Sequence, residues 1–384
     1  MKRIVMRRAV LALAAAAVVP FAAAQGASEP IRLGVMLPLT GPAALAGTSI
    51  LEGVRFAADE ANAKGGVNGR KVQLFIENDE GSSTKGVTAV RKLVESDKVI
   101  AISGTYVSAV ALAASKVSRE FKVPMVSAGS TSSNVTEANT AGDPWFFRAF
   151  PGSDEQGEQS ARDIVKKLNA KKVALIQENS IYGSSLAEQM KKVIPQYGGQ
   201  IVGTETYNAD ERDFYSVLTK IRTKQPDAIY IAGLMDAGAQ IIKQSREAGL
   251  KAELVGSGSM MSDKLIELAG PASEGFAVSS MFEPSTPNKV GQAFTQDFRQ
   301  KMKKEPDVYS ALGYDSMHLL IEAARRAPKL DGASMQATLK SMKDVPLVQG
   351  PDGTFAKFDD KGSVSFKIGL AIVRNGKRQW LPFD

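Results

Sequence analysis

The feature that most constrains the fold is a repeated alternation of short apolar runs with longer segments of helical periodicity. An apolar run at 31–39 is followed by a periodic segment at 48–63, which ends before two glycines. The alternation continues with strands predicted at 71–77, 99–103 and 125–126 and helices predicted at 83–94 and 108–121. Continuous apolar runs are typical of strands buried on both faces. The pattern therefore predicts a parallel sheet with helices on both sides.

A second alternating series begins near Asp154. It predicts helices at 156–168, 182–194, 214–223, 237–248 and 263–268, and strands at 172–177, 201–207, 227–232, 253–256 and 275–279. Three helical segments between 287 and 342 follow, and then strands at 367–373 and 377–381. A helical block followed by returning strands indicates that the chain crosses between two α/β units more than once.

The N-terminus predicts a secretory signal peptide at 1–24, cleaved after Ala24. Four basic residues precede an apolar run that is too short to span a bilayer and that ends in small residues. Cleavage leaves 360 residues (384 minus 24), which is long for one core, and lowers the net charge from +7 to +3. The basic charge is thus partly a property of the leader, so a nucleic-acid partner is not expected. We expect a soluble, secreted protein. Because the chain has no cysteine, its stability must come from packing rather than from disulfides.

The sequence contains few of the residues and motifs that are typical of an enzyme active site. It has a single histidine, His318, within a periodic helical segment, and it has no cysteine nucleophile, no phosphate-binding loop and no dinucleotide motif. A serine hydrolase would need His318 to meet Ser130 from a distant loop. We therefore predict a protein that is not an enzyme and that needs neither a cofactor nor a metal.

Glycines and hydroxyl residues instead follow the predicted strands of the first series, at 38–42, 103–108 and 127–134. The last of these segments reads SAGSTSSN. Ligands bind beyond the carboxyl ends of parallel strands, where loop amides and helix N-termini point outward. These segments therefore predict a cradle for a polar or anionic group, and Ser108 is also predicted to cap the helix that follows it.

Several motifs resemble the periplasmic branched-chain amino-acid binding family. They are LPLTGP at 37–42, AKGGVNG at 63–69, Tyr182-Gly183 before a helix, and GTF at 353–355 with Phe358-Asp359. The similarity runs from about residue 30 to the C-terminus.

The resemblance implies a type I periplasmic binding protein, with two doubly wound parallel-sheet lobes joined by three hinge crossovers. The N-terminal lobe would comprise 28–148 and 282–347, and the C-terminal lobe 149–281 and 348–384. Such a monomer captures a solute between its lobes and delivers it to the membrane permease of an ABC importer. A ligand sensor that presents itself to a signalling receptor is the alternative, because it would use the same fold.

The resemblance also implies the ligand-binding residues. Ser108 and Thr131 match hydroxyl groups that hold a ligand carboxylate, within a cradle that includes Gly129 and Ser130. The expected wall residues are Tyr106, Tyr182 and Tyr309.

One departure from the family pattern concerns the ligand's amine. Gly258 stands where the family usually has an acidic residue that pairs with the ligand ammonium. Breaking a buried ion pair costs about 3–5 kcal/mol, so either Glu178 or Asp236 replaces that acid or the ligand lacks the amine. The simpler expectation is a small carboxylate such as an aromatic or oxo acid. A branched-chain or other amino acid is the alternative.

Overall fold

A computed structural model describes residues 29–381, so the predicted signal peptide lies outside the described residues. The strands are β1 (Ile31–Leu37), β2 (Val72–Asn78), β3 (Ile102–Gly104), β4 (Met125–Val126), β5 (Phe146–Phe147), β6 (Lys172–Glu178), β7 (Gln200–Tyr207), β8 (Ala228–Ala232), β9 (Glu253–Gly256), β10 (Ala277–Ser280), β11 (Gly369–Arg374) and β12 (Lys377–Leu381). The helices are α1 (Ala44–Ala63), α2 (Ser83–Arg91), α3 (Ser108–Glu120), α4 (Ser133–Glu137), α5 (Ser153–Lys166), α6 (Ile181–Val193), α7 (Tyr215–Arg222), α8 (Met235–Glu247), α9 (Asp263–Ala269), α10 (Lys289–Met302), α11 (Val308–Arg326) and α12 (Gly332–Ser341). Across the described part of the chain, none of these helices has the length and apolar character needed to cross a membrane.

The first sheet is parallel throughout, with the strand order β2-β1-β3-β4-β5. β1 lies inside it between β2 and β3, and its side chains Leu33, Val35 and Leu37 are fully buried. This burial explains the uninterrupted apolar sequence of β1, because a strand covered on both faces has no solvent side for polar residues.

The second sheet has the order β12-β11-β10-β9-β8-β6-β7. The strands from β10 to β7 are parallel, whereas β11 pairs antiparallel with both β10 and β12. The chain end therefore contributes a hairpin to a sheet that is otherwise built from βα units. Each of the strands and helices predicted from the sequence is present, with ends that shift by a few residues.

The late helices return to the first sheet. Phe294 of α10 contacts Phe56 of α1 edge to face, with ring centroids 5.8 Å apart, and Tyr314 of α11 lies 5.9 Å from the same ring. His318 stacks on Tyr314 at 5.5 Å. This histidine therefore packs within the helical layer that covers the first sheet.

The described chain passes between the two sheets three times, after β5, after β10 and between α12 and β11. The last segment stays close to the first, because the backbone N–H groups of Arg148 and Val364 donate to the carbonyls of Gly362 and Arg148. Such adjacent, hydrogen-bonded connections form a hinge about which two lobes can rotate.

The start of α3 was predicted wrongly, and one strand was missed. Ser108 does not cap α3: Val107 occupies the N-cap position in an extended conformation, and Ser108 is the first helical residue. The strand β5 was not predicted, because two apolar residues in a turn-rich segment give no recognisable period.

Candidate functional site

A partly open cavity lies where the carboxyl ends of strands from both sheets face each other. The first lobe contributes Tyr106, Val107, Ser108, Ala109, Gly129 and Thr131. The second lobe contributes Gln156, Glu178, Ser180, Ile181, Tyr182, Leu234, Gly258 and Ser259, and the remaining lining residues are Met281, Val308, Tyr309 and Leu312. Both lobes thus surround the same space.

The loop at 127–134, hereafter the cradle loop, is fixed by its own serines. Ser127 Oγ accepts the N–H groups of Gly129 at 3.3 Å and Ser130 at 3.0 Å. Ser130 Oγ donates to Ser108 Oγ at 3.3 Å, so Ser130 supports the cradle but does not line the cavity as predicted. Thr131 Oγ1 is buried and has no hydrogen-bond partner among residues 29–381. Because Thr131 also lines the cavity, its hydroxyl is placed to bond a water or a ligand there.

Arg148 lies behind the cradle loop and is 3% exposed. Its Nη1 donates to the carbonyls of Thr131 at 2.9 Å and Ser132 at 3.1 Å, and its Nη2 donates to Ser363 Oγ at 3.0 Å. Burial lowers the pKa of Arg148, although surrounding carboxylates oppose the change. The guanidinium therefore ties the cradle loop to a hinge segment and adds positive charge next to the cradle.

Tyrosines form the cavity wall. The rings of Tyr106 and Tyr309 meet edge to face with centroids 5.7 Å apart, and the Tyr309 hydroxyl donates to the carbonyl of Ser259 in the opposite lobe. Burial raises the pKa values of Tyr106, Tyr182 and Tyr309, so these groups stay neutral. The approach of Tyr106 depends on Gly129, because a Cβ at 129 would lie 2.6 Å from a carbon of that ring.

Gln156 is a cavity residue that the sequence did not reveal. Its side chain is 1% exposed, and its Nε2 donates to the carbonyl of Pro151 at 2.9 Å. Its Oε1 has no partner in the described part of the chain and would lie 3.0 Å from a Cβ at Gly258. A neutral amide oxygen thus lies next to the position where the resemblance leads one to expect a carboxylate.

The structure separates the two acidic candidates for that role. Glu178 lines the cavity at the end of β6, is 4% exposed, and its Oε2 accepts the N–H of Leu234 at 3.3 Å. Asp236 is not among the lining residues, and burial raises its pKa while Arg212 opposes the change. Of the two, only Glu178 is placed to meet a ligand in this cavity.

The cavity adjoins a second, more open space, hereafter the vestibule. The two spaces share Val107, Ala109, Glu178, Ser180, Ile181 and Leu234. Ser108, Gly129, Thr131, Gln156 and Gly258 line the inner cavity alone. The cradle thus marks the inner end of the site, and Glu178 lies at its outer end.

Most of the predicted site residues come together. Seven of them line the cavity: Tyr106, Ser108, Gly129, Thr131, Tyr182, Gly258 and Tyr309. Tyr309 lies within the first turn of α11 rather than before that helix. Within residues 29–381, no group of histidines and carboxylates is arranged to hold a metal ion. The lining therefore suits capture of a small polar molecule by hydroxyls, amides and aromatic rings.

Comparisons with known proteins agree on one family for this chain. A family model described as "periplasmic binding protein" matches residues 30–377. A curated relative from Pseudomonas aeruginosa, described as an amino acid binding protein, is 32% identical over 388 residues and covers all of both chains.

Solved structures of similar proteins have the same architecture. The leucine binding protein LivK from Thermotoga maritima superposes with a TM-score of 0.85 at 27% identity, covering 92% of this chain and 98% of its own. The branched-chain amino acid transporter substrate binding protein LivJ from Streptococcus pneumoniae, in complex with isoleucine, gives a TM-score of 0.83 at 27% identity and covers 91% and 98%. The likeness extends over nearly the whole described chain.

Proposed function

Because this chain belongs to the periplasmic binding protein family and has its type I fold, we propose that it captures a small carboxylate between its lobes for an ABC importer. Members of this family bind small ligands and work with a membrane permease. The single observation that most supports the carboxylate is Thr131 Oγ1, a buried hydroxyl in the cavity with no partner among the described residues.

Three features of the inner end favour a carboxylate. The Thr131 hydroxyl is available as a donor, and Ser108 Oγ accepts from Ser130, so its own proton is also available for donation into the cavity. The N-terminus of α3 begins at Ser108, where the first backbone N–H groups of a helix have no partners within the helix. The guanidinium of Arg148 adds a cation one peptide group away. Hydrogen bonds from neutral donors to a carboxylate each contribute about 1.5–3 kcal/mol.

The rest of the cavity suits a compact apolar body. The wall combines tyrosine rings with Leu234, Met281 and Leu312. The named relatives bind leucine or isoleucine, which makes an amino acid a ligand candidate beside the organic acid expected from Gly258.

Capture requires that the ligand favour the closed arrangement. Thr131 belongs to the first lobe and Gln156 and Tyr182 to the second, so a ligand that contacts all three bridges the hinge. A ligand shifts an equilibrium between open and closed states only by its difference in affinity for the two. Contacts made by both lobes provide that difference.

Calorimetry of the protein without residues 1–24 tests the proposal. The probes are benzoate, a 2-oxo acid, leucine and valine. Thr131→Val keeps the side-chain shape and removes the hydroxyl, so it should weaken binding of every carboxylate about 10- to 100-fold. Ser108→Ala should act in the same direction.

Thr136→Val is the matched control. Thr136 is a buried threonine outside the cavity, and its hydroxyl donates to the Ser133 carbonyl at 3.2 Å. Its replacement should lower stability and leave affinity unchanged. Equal carboxylate affinity in the wild type and in a variant that combines Thr131→Val with Ser108→Ala would contradict the proposal.

A further inference from the structure

The two ends of the ligand cavity differ in charge. At the inner end, the buried guanidinium of Arg148 lies one peptide group behind Thr131. At the outer end, the residues shared with the vestibule include one ionisable side chain, the carboxyl group of Glu178. The residues that line the inner cavity include no lysine, arginine or histidine. The site therefore has an axis with a cation behind one end and a carboxylate at the other.

Glu178 differs from the other buried carboxylates of the described chain. Glu283 pairs with Arg378 at 2.7 Å, and Asp163 lies 3.4 Å from Lys167. Two that lack a cation are satisfied by donors: Asp79 accepts from Thr105 and from the N–H of Gly81, and Asp315 accepts from Val348 and Gln349.

Within residues 29–381, Glu178 has no ion pair, and its side chain receives one hydrogen bond, from the N–H of Leu234. A carboxyl group that is 4% exposed, faces the cavity and accepts one hydrogen bond from the protein can accept further hydrogen bonds from a ligand.

The same charges disfavour a simple organic acid. A monocarboxylate bound at the cradle would share the cavity with the carboxyl group of Glu178, and two negative charges within one cavity repel each other. A ligand with a protonated amine toward the vestibule would place its two charges next to groups of opposite sign. Gln156, at the inner end, offers only a neutral oxygen.

We propose that Glu178 receives the protonated amine of the ligand, and that this amine is several bonds away from the carboxylate held at the cradle. This inference deepens the proposed function and rests on it. The expected ligand class is an ω-amino acid, with its chain along the tyrosine wall. No acidic residue beside Gly258 would then replace the acid that the family usually has there. The carboxylate that pairs with the ligand amine would instead be Glu178, at the opposite end of the site.

Paired ligands that differ only in the amine test this inference. The distal pairs are 4-aminobutanoate with butanoate and 5-aminopentanoate with pentanoate, and the α-amine pair is leucine with 4-methylpentanoate. We expect the wild-type protein to bind at least one ω-amino acid about 30-fold or more tightly than its amine-free partner, as for a buried charge pair. No preference for the amine in either distal pair would overturn the inference.

Glu178→Gln should change the affinities of the two ligands of a distal pair in opposite directions. The glutamine keeps an oxygen to accept the Leu234 N–H, so the fold is retained, and the loss of charge should weaken the ω-amino acid and strengthen the amine-free acid. Glu188→Gln is the matched control, because Glu188 lines the vestibule but not the inner cavity. Its effect on both ligands of a pair should be small.

The failure of this inference differs from that of the proposed function. Thr131→Val should weaken both members of a distal pair by the same factor, whereas Glu178→Gln should change their ratio. Suppose that carboxylates bind and that Thr131→Val weakens their binding, but that Glu178→Gln leaves the affinity ratio of each distal pair unchanged. The distal amine site is then refuted, and the carboxylate cradle is retained. A Glu178→Gln effect confined to the leucine pair would equally refute the distal placement. If no carboxylate binds at all, the proposed function itself fails.

Discussion

A buried aspartate at the hinge should make the stability of this protein depend on pH in a predictable direction. Asp315 of α11 is 1% exposed, and it accepts the N–H of Val348 at 3.0 Å and Nε2 of Gln349 at 3.0 Å. These two partners lie at the start of the third passage between the sheets. Burial raises the pKa of Asp315 from 3.8 to about 7, although both hydrogen bonds oppose the change.

The sign follows from which state loses its proton first. At pH below 3.8, Asp315 is protonated in both the folded and the unfolded protein and contributes no pH dependence. As the pH rises toward 7, the unfolded chain ionises and the folded protein does not, so the free energy of unfolding falls. At about 1.4 kcal/mol for each pH unit between the two pKa values, the total loss is about 4 kcal/mol. Above pH 7 the contribution is constant.

Asp315→Asn removes this titration and preserves the geometry. The asparagine Oδ1 can still accept the Val348 N–H. Gln349 Oε1 is buried and has no partner among residues 29–381, so a rotation of that amide by 180° lets it accept the new Nδ2–H. The variant should match the wild type near pH 4 and exceed its free energy of unfolding by up to about 4 kcal/mol at pH 8.

Urea unfolding followed by tryptophan fluorescence, at pH values from 4 to 8.5, measures this difference directly. Other titrating groups act in both proteins, and their effects cancel when the two curves are subtracted. A wild-type minus Asp315→Asn difference that is flat across this range would refute the argument from burial.

Three further changes test other parts of the structure. Arg148→Lys leaves carbonyls of the cradle loop without their donors, so it should lower the free energy of unfolding by about 1–3 kcal/mol and weaken ligand binding, as measured by urea unfolding and calorimetry. Gly129→Ala puts a Cβ 2.6 Å from the Tyr106 ring and should reduce ligand affinity more than stability, and a variant with wild-type affinity would contradict that close approach. Arg378→Met leaves Glu283 buried without its cation and should lower the free energy of unfolding by about 3–5 kcal/mol. Adding Glu283→Gln should recover most of that loss. A double-mutant cycle that shows no coupling between the two changes would contradict a stabilising role for the pair.

The sequence predicted the fold well where burial produces a long pattern. α1 ends at Ala63 as predicted, and the helices that cover the sheets have the expected 3.6-residue period. It failed where a short apolar run lies in a turn-rich segment or where a neighbour decides the conformation. β5 has two residues, and the start of α3 depends on the extended backbone at Val107 rather than on the capping preference of Ser108.

Some residues of the candidate site could be predicted from the sequence, and others could not. The hydroxyls and glycines that follow parallel strands could be placed from the sequence, because the ends of those strands meet at one edge of a sheet. Gln156 could not be found, since its role arises from contact with Gly258, about a hundred residues away, and it lies in no recognised motif. Glu178 and Asp236 were equivalent candidates in the sequence, and only the three-dimensional path of the chain separates them.

The position of α11 and of the C-terminal hairpin also determines the order in which this protein can be built. α11 packs on α1 and against the first sheet, and β11 supplies the antiparallel neighbour of β10 in the second sheet. Neither lobe can therefore finish folding as the chain emerges from the ribosome: the first must await residues near 326, and the second those near 374. Contacts between residues so distant in sequence slow folding. A chain arranged in this way remains incompletely folded until synthesis is nearly over, and its apolar surfaces stay accessible to chaperones for the whole of that time.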